Sequence, residues 1–228
     1  MSDRYRSGAY GRQHPGWFEE DAEAKAAGVA ELLRFGGIVP SSVVDVGCGS
    51  GAVLWHLHQM LGDAWPDTDW EGWDIAPDAI RRARAREARR LGYVCDDFLA
   101  SEREAELLLC LDVAEHVVDD VGFLASLRSR AQNFVLRLPL DLSVLDVARP
   151  TRLTTAGPHL GHRHLYTREL ALQRVEEAGY RVVEERYHRA RPFGRGITER
   201  LRRRGLRVLP HLTARWLGGV SLLVLAES

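Results

Sequence analysis

The fold of this chain is decided by the stretch Val43-Val44-Asp45-Val46-Gly47-Cys48-Gly49-Ser50-Gly51. A run of β-branched residues ends in an acid, and three glycines then alternate with small residues. An apolar segment with helical spacing follows, so the pattern predicts a strand, a tight turn and a helix. Glycine permits positive φ and lets a ligand reach bare backbone, where the N–H groups of the turn and of the helix N-terminus face it. The stretch therefore predicts a ligand-binding turn.

Gly-rich turns of this kind serve several classes of ligand, and the neighbouring residues narrow the choice. A P-loop needs a lysine after its last glycine, but the chain's only lysine, Lys25, lies upstream of the turn. Gly47, Gly49 and Ala52 satisfy the looser dinucleotide fingerprint. Asp45 argues against a dinucleotide, because an acid at the end of the strand repels a pyrophosphate and attracts an ammonium group. An NAD(P)-dependent oxidoreductase stays as the alternative, although a single lysine at position 25 leaves no Tyr-x-x-x-Lys catalytic pair.

The acid and the three glycines resemble motif I of the class I S-adenosylmethionine (SAM) methyltransferases. Farther along, Asp112-Val113-Ala114-Glu115-His116-Val117 resembles the motif IV region of small-molecule methyltransferases, including the quinone O-methyltransferases. The segment from His164 to Leu170 and the segment from Glu176 to Glu184 resemble the last helix–strand unit of the same family. The resemblance runs from about Trp17 to the C-terminus. It implies SAM as the cofactor and a small-molecule acceptor, with a hydroxyl oxygen expected to receive the methyl group. Nitrogen and carboxylate acceptors stay open.

The order of the elements predicts the fold class. Strand and helix signals alternate along the chain, which is typical of an α/β domain. The resemblance implies a Rossmann-like, seven-stranded, mostly parallel sheet with helices on both faces and an antiparallel last strand. We expect a single domain over residues 1–228, with an N-terminal helical lid (1–36), a long substrate-side loop (139–166) and a helical cap insert (189–218). Strand five is expected to stop at Pro139.

Composition excludes some partners. The 228 residues carry 31 Lys and Arg against 32 Asp and Glu, a formal net charge of -1, so nothing attracts nucleic acid in general. No apolar run approaches the roughly 18 residues of a membrane span, and the N-terminus has no apolar signal region. We therefore expect a cytoplasmic enzyme, monomeric or homodimeric, without nucleic acid as a partner. Peripheral membrane contact stays open.

The cofactor site is predicted at the ends of the first strands. Asp45 and the glycines would hold the methionine end of SAM, and Asp74 its ribose, at a spacing that such folds use; a helix-capping carboxylate is the alternative for Asp74. The resemblance implies Asp97, or else Asp96, at the adenine amino group, and a turn-forming Asp pair is equally open. Lys25 is long enough to reach a cofactor carboxylate, but lysines are usually solvated. The full set is Lys25, Asp45, Gly47, Cys48, Gly49, Gly51, Asp74, Ile75, Asp96, Asp97, Phe98, Leu111 and Asp112.

Histidines are the candidates for acid–base chemistry. His116 follows strand four, where the acceptor should approach, and imidazole is the side chain best poised near neutral pH. A helix-turn histidine paired with Glu115 is the competing interpretation, and His164 is the reserve candidate. No metal is expected: His159, His162 and His164 lie in an irregular loop with Arg163 between them, and full activity is expected after dialysis against EDTA.

Arginines accumulate in residues 186–207. Such a segment fits an RNA methyltransferase, an interfacial membrane helix, or a cap with a solvated basic face. We expect the cap, because an insert between strands six and seven can fold over the substrate side of the sheet. The spacing of Ile197, Leu201, Val208, Leu212 and Trp216 predicts packed helices there. A non-enzymatic protein that keeps the fold is a further alternative, disfavoured by the intact acid–glycine turn.

Overall fold

The computed structural model describes residues 2–14, 16–149, 153, 161–189 and 197–228. A seven-stranded sheet lies at its centre, with the strands in the order β3-β2-β1-β4-β5-β7-β6. The first five strands in this order pair in parallel, and β7 runs antiparallel to both β5 and β6. The predicted Rossmann-like sheet with an antiparallel last strand is therefore confirmed. Its strands are β1 (Ser42–Val46), β2 (Asp69–Trp73), β3 (Leu91–Val94), β4 (Leu107–Leu111), β5 (Asn133–Leu140), β6 (Arg181–His188) and β7 (Val220–Glu227).

Helices cover both faces of the sheet. Consecutive strand residues point to opposite faces, so Val43 enters one apolar core and Val44 the other, and both are buried. The described helices are α1 (Ser2–Arg6), α2 (Ala9–Gln13), α3 (Ala22–Gly36), α4 (Ala52–Leu61), α5 (Pro77–Ala83), α6 (Asp120–Arg128), α7 (Val144–Ala148), α8 (Arg168–Glu177), α9 (Ile197–Val208) and α10 (Pro210–Leu217). Helices α3, α4 and α5 contribute to the first core, and α6 and α8 to the second. Burial on both faces explains why the β4 sequence is continuously apolar.

Strand β5 continues through Pro139, so the prediction that this proline ends the strand is wrong. Pro139 pairs with Ser221 of the antiparallel β7. The neighbouring β4 pairs with β5 only as far as Arg137. Beyond that point β5 has a neighbour on one side, and proline is tolerated at an edge because one face of the backbone needs no ladder partner.

The insert before β7 is helical, as predicted, but four of the apolar side chains that the spacing singled out do not pack inward. Leu201, Val208, Leu212 and Trp216 are each more than half exposed. Arg202 is buried instead and donates hydrogen bonds to the carbonyl oxygen of Leu217. Helices α9 and α10 approach each other through small residues: a Cβ on Gly205 would lie 2.2 Å from Oγ1 of Thr213. This close approach turns the bulky apolar positions toward solvent. The side chain of Ile197 lies outside the described residues.

Candidate active site

A cavity of about 290 Å³ lies at the carboxyl ends of the central strands. Strands β1 and β4 are neighbours there although they are not consecutive, and ligands of open α/β sheets bind where the strand order reverses. Of the predicted site residues, the cavity wall formed by described residues includes Lys25, Asp45, Gly47, Cys48, Gly49, Asp74, Leu111, Asp112 and His116. It does not include Gly51, Ile75, Asp96, Asp97, Phe98 or His164.

The glycine turn between β1 and α4 has the backbone that its sequence predicts. Gly47, Gly49 and Gly51 have φ values of 77°, 56° and 73°. A Cβ on Gly47 would lie 2.5 Å from Val113, and one on Gly51 would lie 2.4 Å from Tyr93. Gly51 therefore serves the packing of the turn at the start of α4, while Gly47 and Gly49 present backbone to the cavity.

Asp45 contributes an unpaired carboxylate oxygen to the cavity. The residue is buried, and its Oδ1 has no hydrogen-bond partner among the described residues. Burial and, to a smaller extent, the charge of Asp74 raise the pKa of Asp45 to about 7, against the opposing charge of Lys25. A buried acceptor without a donor is costly, so this oxygen suits an ammonium group that enters the cavity.

Asp74 is held by the backbone and also lines the cavity. Its Oδ2 accepts a hydrogen bond from the N–H of Gly49 at 2.9 Å, and its Oδ1 accepts one from the N–H of Ala76 at 2.8 Å. Burial raises the pKa of Asp74 although these backbone donors oppose the shift. The carboxylate thus joins the glycine turn to the start of α5. Each carboxylate oxygen still has a free lone pair that could accept a hydrogen bond from a ribose hydroxyl. The ribose contact of Asp74 stays a prediction.

The side chains at the end of β3 turn to their own backbone. Oδ1 of Asp97 accepts a hydrogen bond from the N–H of Leu99, and Oδ1 of Asp96 accepts one from the N–H of Asp97. Phe98 is buried and packs edge-on against Trp73, with ring centroids 5.5 Å apart. The adenine contact predicted here stays a prediction, and Asp97 does cap the short turn that follows.

Lys25 and Asp112 form part of a charged group in the cavity wall. The Nζ of Lys25 lies 2.8 Å from Oδ2 of Asp112, and the guanidinium of Arg137 bonds the same carboxylate. The Lys25 side chain is 16% exposed, so its interpretation as a solvated lysine is wrong. Burial alone would raise the pKa of Asp112, but Arg137 and Lys25 together lower it well below its ordinary value. Asp112 also has a φ of 59°, and it directly follows the last residue of β4.

A second polar group of the cavity wall consists of Glu115, His116 and His162. Glu115 is 0% exposed, and neither of its carboxylate oxygens has a hydrogen-bond partner among the described residues. Nδ1 of His116 lies 3.2 Å from the carbonyl oxygen of Gly161, and Nδ1 of His162 lies 2.6 Å from Oδ2 of Asp141. The Nε2 atoms of both histidines lie 4.0 Å from Oε1 of Glu115. We name these three residues the Glu–His–His cluster.

Burial shifts the pKa values in the Glu–His–His cluster. It raises the pKa of Glu115 well above its ordinary value, and the charge of Asp112 adds to the effect. Burial and, to a smaller extent, the neighbouring His162 lower the pKa of His116 to about 4. At neutral pH the His116 imidazole is therefore uncharged, as a proton acceptor or a metal ligand must be.

The sequence pointed to His164 as the reserve histidine, and the structure brings His162 into the cavity in its place. Nε2 of His164 hydrogen-bonds the carbonyl oxygen of Val117 at 3.0 Å, and its ring stacks on Tyr166. The N–H groups of Arg163 and His164 donate to the carbonyl oxygen of Glu115. This backbone contact fixes the register of the segment and so decides which histidine faces the cavity. His159 lies outside the described residues.

Aromatic residues from the N-terminal segment line the cavity, and sequence reasoning did not single them out. Tyr5, Tyr10, Trp17 and Phe18 all belong to the wall. The Tyr10 and Trp17 rings lie 5.3 Å apart, and Tyr5 meets His116 edge-on at 6.2 Å. A Cβ on Gly49 would lie 3.6 Å from the Trp17 ring. The segment therefore stands over both the glycine turn and the Glu–His–His cluster.

A sequence profile described as a methyltransferase domain matches residues 18–185, which is most of the chain. The chain belongs to this methyltransferase family. It carries the class I SAM-dependent methyltransferase domain that the motif resemblance implied, and the cofactor of this family is SAM.

Similar proteins share parts of this enzyme or its fold. Trans-aconitate 2-methyltransferase of Mycobacterium sp. (strain KMS) is 40% identical over 55 residues, which are 24% of this chain and 20% of that protein. The biotin biosynthesis bifunctional protein BioCD of Bordetella avium (strain 197N) is 36% identical over 86 residues, 37% of this chain and 15% of that protein. The matches thus span a fifth or less of these curated relatives.

Among solved structures, magnesium protoporphyrin IX methyltransferase from Synechocystis PCC 6803 with bound SAH superposes with a TM-score of 0.61 at 15% identity, covering 91% of this chain and 83% of that one. A methyltransferase in complex with the Haloferax volcanii Trm112 activator gives a TM-score of 0.66 at 15% identity. The superposition covers 100% of this chain and 97% of that one. At this identity the likeness is one of fold.

The residues of this methyltransferase fit the cofactor. The unpaired oxygen of Asp45 matches the ammonium group of the methionine end, and the bare backbone of Gly47 and Gly49 allows close approach. Burial also raises the pKa of the Cys48 thiol, so this cysteine contributes a neutral side chain to the wall. When bound, SAM supplies an electrophilic methyl group on a positively charged sulfur.

Proposed function

We propose that this methyltransferase transfers the methyl group of SAM to a hydroxyl oxygen of a small molecule bound beside the Glu–His–His cluster. The observation that carries the proposal is that one cavity is lined both by the glycine turn after β1 and by this cluster. The turn belongs to the cofactor half, because it carries motif I. The cluster lies after β4 and beyond β5, on the other side of the point where the strand order reverses.

The cluster offers a proton acceptor for the hydroxyl. When Nδ1 of His116 donates to the carbonyl oxygen of Gly161, the lone pair of the neutral imidazole is on Nε2. Bound SAM would supply the methyl carbon to the acceptor oxygen, and the electron pair of the broken carbon–sulfur bond would stay on sulfur. The hydroxyl proton passes to Nε2 of His116. General-base assistance of this kind typically contributes 10²–10⁴-fold to a rate.

The remaining contribution is alignment and exclusion of water. The aromatic wall of Tyr5, Tyr10, Trp17 and Phe18 supports a role of the N-terminal segment as a lid over the reacting groups. A closed, apolar cover favours a displacement between two held reactants, because it keeps competing water out and fixes their approach.

A carboxylate acceptor is the second candidate. Arg137 lines the cavity, and its Nε has no hydrogen-bond partner among the described residues. With Lys25 and Asp112 the charged group carries a net positive charge, which suits an anionic acceptor. One relative with a similar segment is named for methylation of trans-aconitate. A carboxylate needs no base, so this reaction would not depend on His116.

The test is a SAM-turnover screen against a metabolite extract, followed by mass spectrometry for products that gain one methyl group. Mild alkali then separates the candidates, because it hydrolyses a methyl ester and leaves a methyl ether intact. An alkali-stable product whose fragmentation places the new methyl group on oxygen supports the hydroxyl acceptor, and His116→Gln should then slow turnover at saturating SAM. An alkali-labile product formed equally fast by His116→Gln would replace the hydroxyl acceptor by a carboxylate.

A further inference from the structure

We propose that Glu115, His116 and His162 form a binding site for one divalent transition-metal ion in the cavity. The ligand atoms would be a carboxylate oxygen of Glu115 and the two Nε2 atoms. This departs from the expectation of a metal-free enzyme, which considered the histidines of residues 159–164 alone. The proposal adds Glu115 and His116, which lie far from His162 in the sequence.

The first support is the separation of the ligand atoms. One ligand atom from each of the three residues lies within 4.8 Å of the others, and both Nε2 atoms lie 4.0 Å from Oε1 of Glu115. Zinc binds imidazole nitrogen and carboxylate oxygen at about 2.0–2.2 Å, so two ligands of a tetrahedral site lie roughly 3.4 Å apart. Closing the cluster onto an ion therefore shortens the two carboxylate–imidazole separations by about 0.6 Å each, and the remaining pair by at most about 1.4 Å.

The second support is the orientation of the two imidazoles. Each ring is anchored through Nδ1, His116 by the carbonyl oxygen of Gly161 and His162 by the carboxylate of Asp141. Histidines that bind metals almost always donate their other ring N–H to a carbonyl or carboxylate in this way, which fixes the tautomer and leaves a lone pair for the ion. Both Nε2 atoms are on the side of Glu115.

The third support is the unpaired carboxylate. Glu115 is fully buried, yet neither oxygen finds a hydrogen-bond donor among the described residues. An isolated buried carboxylate is among the costliest groups to leave uncompensated. A divalent cation between Glu115 and the two imidazoles removes that cost. Arg163, expected from the sequence to repel a cation, is exposed and does not belong to the described cavity wall.

The donor set selects the class of ion. Two imidazoles with one carboxylate suit zinc, iron, manganese or cobalt, whereas magnesium and calcium prefer oxygen ligands. Three protein ligands also leave coordination positions open for an exogenous oxygen. The role of the site rests on the proposed function: the ion would bind the acceptor's hydroxyl oxygen and lower its pKa, and the proton would leave to water on binding. His116 would then be a ligand rather than the proton acceptor.

Calorimetric titration of chelator-stripped protein with Zn²⁺, Mn²⁺ and Mg²⁺, together with elemental analysis after dialysis, tests the site without any measurement of activity. We expect one equivalent of Zn²⁺ or Mn²⁺ and at least 100-fold weaker binding of Mg²⁺. His162→Ala and Glu115→Gln should each weaken binding by 100-fold or more. Asp141→Asn, which keeps the side-chain shape, should weaken it about 10-fold, as the loss of a ligand's anchoring partner does.

His164→Ala is the matched control, because His164 lies on the same segment and outside the cluster. It should bind the ion as the unmodified protein does. The absence of stoichiometric binding, an unchanged affinity in His162→Ala, or an equal loss in His164→Ala would overturn the site.

The experiments distinguish a failure of the metal site from a failure of the proposed hydroxyl acceptor. Methyl transfer at the full rate after complete removal of metal would overturn the role of the ion and leave the hydroxyl acceptor intact. A metal-loaded enzyme that methylates only carboxylates would overturn the hydroxyl acceptor and leave the metal site intact.

Discussion

The ammonium of Lys25 on α3 lies 2.8 Å from the carboxylate of Asp112 at the end of β4. The guanidinium of Arg137 on β5 bonds the same carboxylate, so one acid pairs with two cations. The three side chains come from elements far apart in sequence, and together they form part of the cavity wall.

Removing the charge of Lys25 and removing the charge of Asp112 should lower the free energy of unfolding by different amounts. Lys25→Met leaves Asp112 paired with Arg137, and we expect a loss of about 1 kcal/mol in the free energy of unfolding. Asp112→Asn leaves two cations facing each other, and we expect a loss of about 3 kcal/mol, typical of an uncompensated buried charge. Asparagine also tolerates the positive φ at this position. Urea unfolding of both variants checks the order, and a larger loss in Lys25→Met would contradict it.

Asp45 should make the stability of the cofactor-free protein depend on pH. Its pKa in the folded protein is about 7, above the ordinary value of 3.8. The folded state therefore holds the Asp45 proton more tightly than the unfolded state does. The contribution of Asp45 to the free energy of unfolding is largest at low pH and falls as the pH rises toward 7, by up to about 1.4 kcal/mol per pH unit. Asp45→Asn should remove this slope. The difference between the thermal unfolding curves of the two proteins from pH 4 to pH 8 isolates the effect from other titrating groups.

SAM binding should follow the opposite trend with pH. The ionised form of Asp45 attracts the ammonium of the cofactor, so affinity should rise as pH increases through about 7. Asp45→Asn should bind SAM more weakly at pH 8, by roughly 1.5–3 kcal/mol for a charge-assisted contact. Isothermal titration at pH 6 and pH 8 measures both effects. Equal affinities of the two proteins at pH 8 would remove Asp45 from the cofactor site.

Trp17 should contribute to cofactor binding through its contact with the glycine turn. Trp17→Ala removes an aromatic surface from the cavity wall, and we expect SAM affinity to fall about 10-fold. Trp216→Ala is the control, because Trp216 is 57% exposed on α10 and does not belong to the described wall. The same loss in both variants would indicate a general effect on folding rather than a local one.

Arg202 should support the fold of the insert, unlike the arginines that follow it. Its guanidinium is buried and donates to the carbonyl oxygen of Leu217, so Arg202→Ala should lose about 2 kcal/mol in stability. Arg203→Ala and Arg204→Ala should stay within about 0.5 kcal/mol of the unmodified protein, since both side chains are exposed. Thermal unfolding of the three variants checks this difference.

Local sequence determined the α/β class and the glycine turn of the site, whereas the seven-stranded sheet was implied by the family resemblance. The acid and glycines of residues 45–51 specify their own turn, because the positive φ values depend only on those residues. The continuous apolar run of β4 specifies a strand buried on both faces, and neighbouring side chains enter opposite cores. These features are short in range, so one sequence sufficed to predict them.

Tertiary structure decided which side chains meet. His162 and His164 are indistinguishable by sequence, and the hydrogen bonds from the 163–164 backbone to the carbonyl oxygen of Glu115 choose between them. The α9 and α10 pattern predicted packed apolar faces, but the close approach at Gly205 buries Arg202 and exposes Trp216 instead. Likewise, the partner of Lys25 is an acid that lies 2.8 Å away only after α3 packs over the sheet. Periodicity records which positions share a face, whereas the neighbour of each face depends on how distant segments pack together.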